Sequence, residues 1–295
     1  MLARTHKPGV GGSNPFLATK FMNDLSIFCI TLNPNHEDII KQLSYTPVGL
    51  GTNKFSENCF TDKEGDNIAN KNSFYGEYTF HYWIWKNYLN KIDSKWIGFC
   101  QYRKFFAKEK LTDKNISLEN LKKIIINKIE EDDSNKYDCI LGSRFSVENY
   151  KISKIVKHYF TNFLLNPSLF FFKNKRTLKL HFDLYHGNGT LDSAIELLDE
   201  KNKNDFKNYM SINTEFYPHN MFICKTESLK DYYDVVFPWL KKCESIFGFN
   251  NFNDYGQKRI YGFLAERFLS FWFSKNFKVK ELPIIGKDLS DYKNL

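Results

Sequence analysis

The chain has 295 residues, 42% hydrophobic and 26% charged, enough to bury the core of one large domain or two small ones. Its 42 Lys and Arg against 34 Asp and Glu give a formal net charge of +8, spread along the chain rather than blocked. That balance favours anionic partners and weakens a nucleic-acid reading, and no run approaches the roughly 20 apolar residues of a membrane span.

Residues 1–21 lack the apolar centre of a signal peptide and carry the Gly-rich stretch Lys7-Pro8-Gly9-Val10-Gly11-Gly12. They are expected to be disordered, with the natural start at Met22 and one domain over 22–295. Leu25–Thr31 is a short apolar run that predicts a first strand, closed by Asn33-Pro34-Asn35. Residues 48–66, with Gly49, Gly51 and Gly65, read as a long loop. Asp66, Asn67 and Asn72 lie in the turn-rich stretch that follows, where turn chemistry and ligand binding compete evenly as explanations.

From Ser73 as N-cap, Phe74, Tyr78, Tyr82, Trp85 and Leu89 recur at helical spacing and predict a buried aromatic stripe. Glu77 sits in the first turn of that helix, where a carboxylate favours the dipole, four residues before His81. Residues 96–100 then form a buried-type strand that ends abruptly in Gln101-Tyr102-Arg103-Lys104. Ligands of open α/β sheets bind beyond the carboxyl ends of strands, so two adjacent cations there suit a diphosphate; solvated charges at a strand end are the plainer explanation.

An amphipathic helix is predicted over 116–132, a strand over 137–141, and helices over 147–165, 177–185 and 190–201. In the last of these Thr190 caps and Asp192 falls in the first turn. A strand over 217–224 starts from a proline turn with His219 and Asn220 at its head. Two long helices close the chain, at 227–247, interrupted by Pro238, and at 254–275, with Glu266 and Arg267 placed off the buried face. Strands alternating with helices imply an α/β domain with a largely parallel sheet and a helical C-terminal part.

Cys29, Cys100, Cys139 and Cys224 lie in apolar strand-like runs, and no two of the six cysteines form a CxxC pair. They read as reduced core thiols, and no zinc site is expected. There is no Gly-x-Gly-x-x-Gly, P-loop or nucleophile-elbow serine. Nor is there an Asp-x-Asp at the end of the strand over 96–100. Cations in that position could neutralise a leaving diphosphate directly.

Six segments occur in order: Gly65-Asp66-Asn67-Ile68-Ala69, Tyr75-Gly76-Glu77-Tyr78-Thr79, Tyr82-Trp83-Ile84-Trp85-Lys86-Asn87, Ile97-Gly98 leading to Gln101-Tyr102-Arg103-Lys104-Phe105-Phe106, Asn220-Met221-Phe222-Ile223, and Gly262-Phe263-Leu264-Ala265-Glu266-Arg267. Together they resemble a family of bacterial glycosyltransferases from capsular and exopolysaccharide gene clusters, long described only as a domain of unknown function. The match runs from about residue 45 to 275, with 147–215 divergent. Three positions depart from the family pattern: Gly76 replaces a Cys, Gln101 a His and Lys104 an Arg.

The resemblance implies a GT-A-like (Rossmann-type) single domain. It implies transfer of galactose or galactofuranose from a UDP-sugar to a lipid-linked oligosaccharide acceptor in capsule, exopolysaccharide or O-antigen synthesis. The expected location is the cytoplasm, peripheral at the inner membrane face, with no nucleic-acid partner. Asp66, Asn67, Asn72, Glu77, Tyr102, Arg103 and Lys104 are assigned to the donor, and His219, Asn220 and Arg267 to the acceptor. Asp192 and Glu266 are the candidate catalytic bases, each with a plainer explanation: a first-turn charge for Asp192, an ion pair within its helix for Glu266. No metal ligand is assigned and no cofactor is required, although Mn or Mg dependence stays open. The competing readings are a basic binding module for RNA or anionic lipid, and an inactive scaffold of a polysaccharide assembly complex.

Overall fold

A computed structural model describes residues 24–111, 116–148, 172–249 and 255–292. The strands are β1 (Leu25–Thr31), β2 (Thr46–Gly49), β3 (Phe60–Thr61), β4 (Trp96–Gln101), β5 (Lys104–Phe106), β6 (Cys139–Gly142), β7 (Phe145–Ser146), β8 (Glu215–Phe216), β9 (Phe222–Lys225), β10 (Val279–Leu282) and β11 (Ile284–Gly286). The main sheet runs β10-β6-β9-β4-β1-β2-β3, with β5 and β11 attached beside β4. β1 pairs in parallel with β2 and β4, β2 with β3, and β6 with β10, so the sheet is mostly parallel. Two strands run the other way: β9, in its middle, is antiparallel to both β4 and β6, and β5 is antiparallel to β4 and β11.

Alternation along the strands divides the core into two layers. Phe28, Ile30, Ile97 and Phe99 face one cluster, and Leu25, Ile27, Cys29, Trp96 and Cys100 face the other. Gly98 is required at the centre, since a Cβ there would come within 2.8 Å of Ile223 Cγ1 and 3.1 Å of Ile27 Cγ1. The cysteines are free and buried.

The described helices are α1 (Glu37–Gln42), α2 (Asn72–Tyr75), α3 (Tyr78–Trp83), α4 (Leu118–Ile124), α5 (Glu131–Lys136), α6 (Leu178–His186), α7 (Thr190–Glu196), α8 (Glu200–Ile212), α9 (Thr226–Phe247), α10 (Tyr255–Lys258) and α11 (Ile260–Asn276). Several differ from the sequence expectation for local reasons. The helix expected from Ser73 starts at Asn72 and breaks at Gly76, whose φ of 59° and ψ of −135° no helix contains. It resumes as α3 and ends in a π-helical turn, Ile84–Tyr88. Within the expected loop over 48–66, two residues of β3 pair with β2. The helix expected over 116–132 is two short ones, because Ile125 turns extended and bridges to Ala107. The helix expected over 190–201 ends at Glu196, and Gly189, not Thr190, occupies its N-cap. The helix expected over 147–165 lies almost wholly outside the described residues.

α11 is buried nearly all round, Glu266 and Arg267 included, which corrects their placement off the buried face. It packs against α2 and α9. This brings the start of α11 and the break at Gly76 together over the carboxyl ends of β1 and β4. Among the described residues, no helix is long and apolar enough to cross a membrane.

Candidate active site

A cleft of about 340 Å³ opens where β1, β2 and β4 end. Its floor is Ile30, Thr31, Leu32 and Leu50, and its walls are Asn72, Ser73, Gly76 and Glu77 on one side and Gln101, Tyr102 and Arg103 on another. Lys258 and Arg259 close the rim. Both size and place suit a small-molecule site of an α/β sheet.

The strand β4 turns sharply at its end. Gln101 pairs with Lys104, leaving Tyr102 and Arg103 at the tip. The tip is held by its backbone: Tyr102 N donates to Ile30 O at 2.9 Å, Lys287 N to Arg103 O and Leu289 N to Tyr102 O, both at 3.1 Å. The Tyr102 ring packs beside His36, 5.0 Å between centroids. The Arg103 side chain makes no hydrogen bond or ion pair with a described residue and is exposed over the cleft, its guanidinium 5.5 Å from the Tyr102 ring.

Glu77 is the centre of the opposite wall. Its Oε1 accepts from Asn220 Nδ2 at 2.9 Å and Gln101 Nε2 at 3.4 Å, and its Oε2 accepts from Arg259 Nη2 at 3.0 Å. His81, although four residues on, points away into the core, where Nδ1 lies 2.7 Å from Tyr233 Oη. Asn72 Nδ2 donates to Gly76 O at 3.0 Å and Thr79 Oγ1 at 3.2 Å, which pins the chain at the helix break.

Behind Gln101 lies a buried polar chain. His219 and Asn220 form a turn with φ of 82° and 53°, a region side chains other than glycine rarely occupy. Three contacts hold it: Gln101 Nε2 donates to His219 O at 3.0 Å, His219 N donates to Glu266 Oε1, and Asn220 Nδ2 also reaches Gly262 O at 3.3 Å. Glu266 Oε2 in turn accepts from Arg267 Nη1 at 2.6 Å, and Arg267 stacks on Phe216 at 3.5 Å. Such strain persists only where its surroundings over-determine it, and it concentrates at functional sites.

Lys104 Nζ contacts the His219 ring. Burial, followed by the charges of Lys104 and Arg103, pushes His219 down to about 4. Burial and the Arg103 charge also lower Lys104. Three cations, Arg103, Lys258 and Arg259, therefore surround the cleft with one carboxylate, Glu77, among its lining residues.

Of the residues assigned from sequence, Asn72, Glu77, Tyr102 and Arg103 line this cleft, and Lys104, His219, Asn220, Glu266 and Arg267 form the shell behind it. The other three, Asp66, Asn67 and Asp192, belong to neither group. Asp66 accepts from Tyr82 Oη of α3 at 3.1 Å, and Asn67 Nδ2 donates within its own turn, to Lys63 O at 3.0 Å and Gly65 O at 2.9 Å. Asp192 is paired with Lys179 at 2.6 Å on the helical layer. Sequence reasoning missed Lys258 and Arg259, which carry no motif of their own; the room that Gly76 leaves is what marks Arg259. Among the described residues no three or more His, Cys, Asp or Glu side chains could hold a metal ion. The donor set at the end of β4 is Gln, Tyr, Arg and Lys, which does not fit a divalent cation.

The sequence matches, over residues 31–277, the family described as a domain of unknown function, DUF4422. No curated protein matches it. Among solved structures, the apo form of the bifunctional glycosyltransferase WbbM superposes with a TM-score of 0.68 at 23% identity. The likeness covers 90% of this chain and 45% of that one, so the chain spans less than half the length of WbbM. Core-mannan synthase A (CmsA/Ktr4) from Aspergillus fumigatus, in its Mn/GDP form, is far less similar, with a TM-score of 0.33 at 11% identity, covering 95% of this chain and 81% of that one. The architecture is GT-A-like: a mostly parallel sheet with the antiparallel strand β9 in its middle and the cleft at its carboxyl edge.

Proposed function

The chain belongs to the DUF4422 family, and on that premise we propose that it is a glycosyltransferase using a nucleotide-sugar donor. In the full reading, galactose or galactofuranose passes from UDP to a lipid-linked glycan during capsule, exopolysaccharide or O-antigen synthesis at the inner membrane face. The observation that carries the reading is the cationic cleft: Arg103 exposed at the tip of β4, with Lys258 and Arg259 at the rim, over a floor of strand ends.

The chemistry asks for such a cleft. The bond from the anomeric carbon to the diphosphate oxygen breaks and its electron pair leaves with UDP. A hydroxyl oxygen of the acceptor forms the new bond and gives up its proton. Negative charge therefore grows on the diphosphate, and fixed cations placed beside it stabilise the transition state more than the ground state. Asn72, Glu77, Tyr102, Arg103 and Lys104 make up the donor set. His219 and Asn220, braced by Glu266 and Arg267, stand behind that set and are assigned to the acceptor side. Of the two candidate bases, Glu266 is the one joined to the cleft, through His219.

Calorimetric titration with UDP, UDP-galactose and UDP-galactofuranose, with and without manganese, tests this. Binding of at least one UDP-sugar and its hydrolysis or transfer are expected; intact protein that binds none of them refutes the reading. An inactive scaffold is the second reading, favoured by Gln101, which spends its amide on His219 O and Glu77. Binding without turnover on any lipid-linked acceptor would select it.

A further inference from the structure

Gly76 sits where α2 breaks, at φ +59°, and a Cβ there would lie 2.0 Å from Arg259 Nη2. Only glycine therefore leaves the guanidinium room to reach Glu77, which it does at 3.0 Å. The pair is asymmetric in its environment: Glu77 is only 12% exposed and Arg259 29%. Glu77 keeps a second anchor in Asn220, and Arg259 stands at the rim, next to Lys258 and in the same cleft as Arg103.

Resting on the donor reading above, we infer that Arg259 is a second diphosphate-binding residue, stored on Glu77 while the cleft is empty and transferred to the phosphate oxygens when the donor enters. The physical basis is a competition between two anions for one guanidinium. A carboxylate and a diphosphate both accept its planar donor pair, but the diphosphate carries more charge and more acceptor oxygens. Glu77 does not become an orphan on release, because Asn220 and Gln101 still donate to it. Arg103 from β4 and Arg259 from the start of α11 then approach the ligand from different walls, a division that the sequence of either segment alone does not show.

The test is titration of the wild type and the Arg259→Gln, Arg259→Lys and Glu77→Gln variants with UDP, uridine and inorganic pyrophosphate, with thermal unfolding as the folding control. Arg259→Gln is expected to weaken UDP and pyrophosphate at least tenfold and leave uridine unchanged, and Arg259→Lys to recover part of the loss. Glu77→Gln removes the competitor and is expected to tighten pyrophosphate, which offers no ribose or sugar for Glu77 to hold. If the wild type binds UDP and folded Arg259→Gln binds it equally well, the inference is overturned. Weaker pyrophosphate binding by folded Glu77→Gln overturns the exchange. Wild type that binds pyrophosphate but not UDP would sink the nucleotide-donor reading and leave the clamp standing.

Discussion

Lys104 Nζ lies 2.9 Å from Nδ1 and 3.1 Å from Nε2 of His219, an ammonium group set directly on an imidazole. The contact works only with the ring neutral, and burial together with the two neighbouring cations keeps it so, with His219 pushed down to about 4. The ring is thereby a fixed polar support for Lys104 rather than a proton donor at neutral pH.

This has a consequence for stability. Burial also lowers His81 and His186 to about 3. All three folded values lie below the ordinary 6.5, so the unfolded chain binds more protons as acid is added. The stability they contribute is complete above pH 6.5 and is lost as pH falls toward 4. The melting temperature should therefore decline between pH 6.5 and 5, a window above most carboxylate titration. His219→Gln should make that decline shallower. A flat profile across this window would contradict the account.

Arg103 offers the cleanest separation of binding from folding. It makes no hydrogen bond or ion pair with a described residue and is exposed, so Arg103→Ala should leave the melting temperature within error of wild type. Loss of a charge-assisted hydrogen bond to phosphate is worth about 1.5–3 kcal/mol, or roughly 10- to 150-fold in the dissociation constant for UDP. Unchanged UDP affinity in a folded Arg103→Ala protein would remove the β4 tip from the donor site.

Glu266 and Arg267 make the opposite case. Removing one partner of a buried pair leaves the other charge uncompensated, at a cost of about 3–5 kcal/mol. Glu266→Ala should thus unfold well below wild type and release the strained His219 turn that its Oε1 holds. Replacing both, as in Glu266→Gln with Arg267→Met, should recover much of the loss, and a double-mutant cycle measures the coupling. If Glu266→Ala melts like wild type while turnover vanishes, Glu266 acts as a base rather than as a brace.

The sequence made β1, β4, β6, β9 and the cationic tip of β4 legible, because a buried run that ends in Gln101-Tyr102-Arg103-Lys104 reads as the end of a core strand, whereas the shorter strands at the sheet's edges carried no such run. What could not be read were tertiary choices. The antiparallel direction of β9 depends on which neighbours it meets, and its composition is the same either way. Helical spacing marked the aromatic stripe from Phe74 but hid the break at Gly76, where a positive φ overrides periodicity. Glu266 and Arg267 looked like surface charges until each was seen to bury the other. Arg259 gave no signal at all, since it matters only through a glycine 183 positions earlier in the chain.

Asp62 carries the last prediction. It is 1% exposed, and neither carboxylate oxygen has a hydrogen-bond partner. The Thr79 hydroxyl beside it is also placed to donate to Gly76 O at 3.1 Å and offsets only part of the cost of burial. Burial accordingly raises the Asp62 carboxyl above its ordinary 3.8. A raised folded pKa means that this group's contribution is complete below pH 3.8 and is lost as pH rises through the folded value. Asp62→Asn abolishes that loss, because an amide of the same shape has no charge to desolvate. The variant should melt higher than wild type at pH 8, by a few degrees, and the advantage should shrink toward zero at pH 4. An equal loss of stability at both pH values would instead mean that the carboxylate is satisfied in solution by a partner the amide cannot replace.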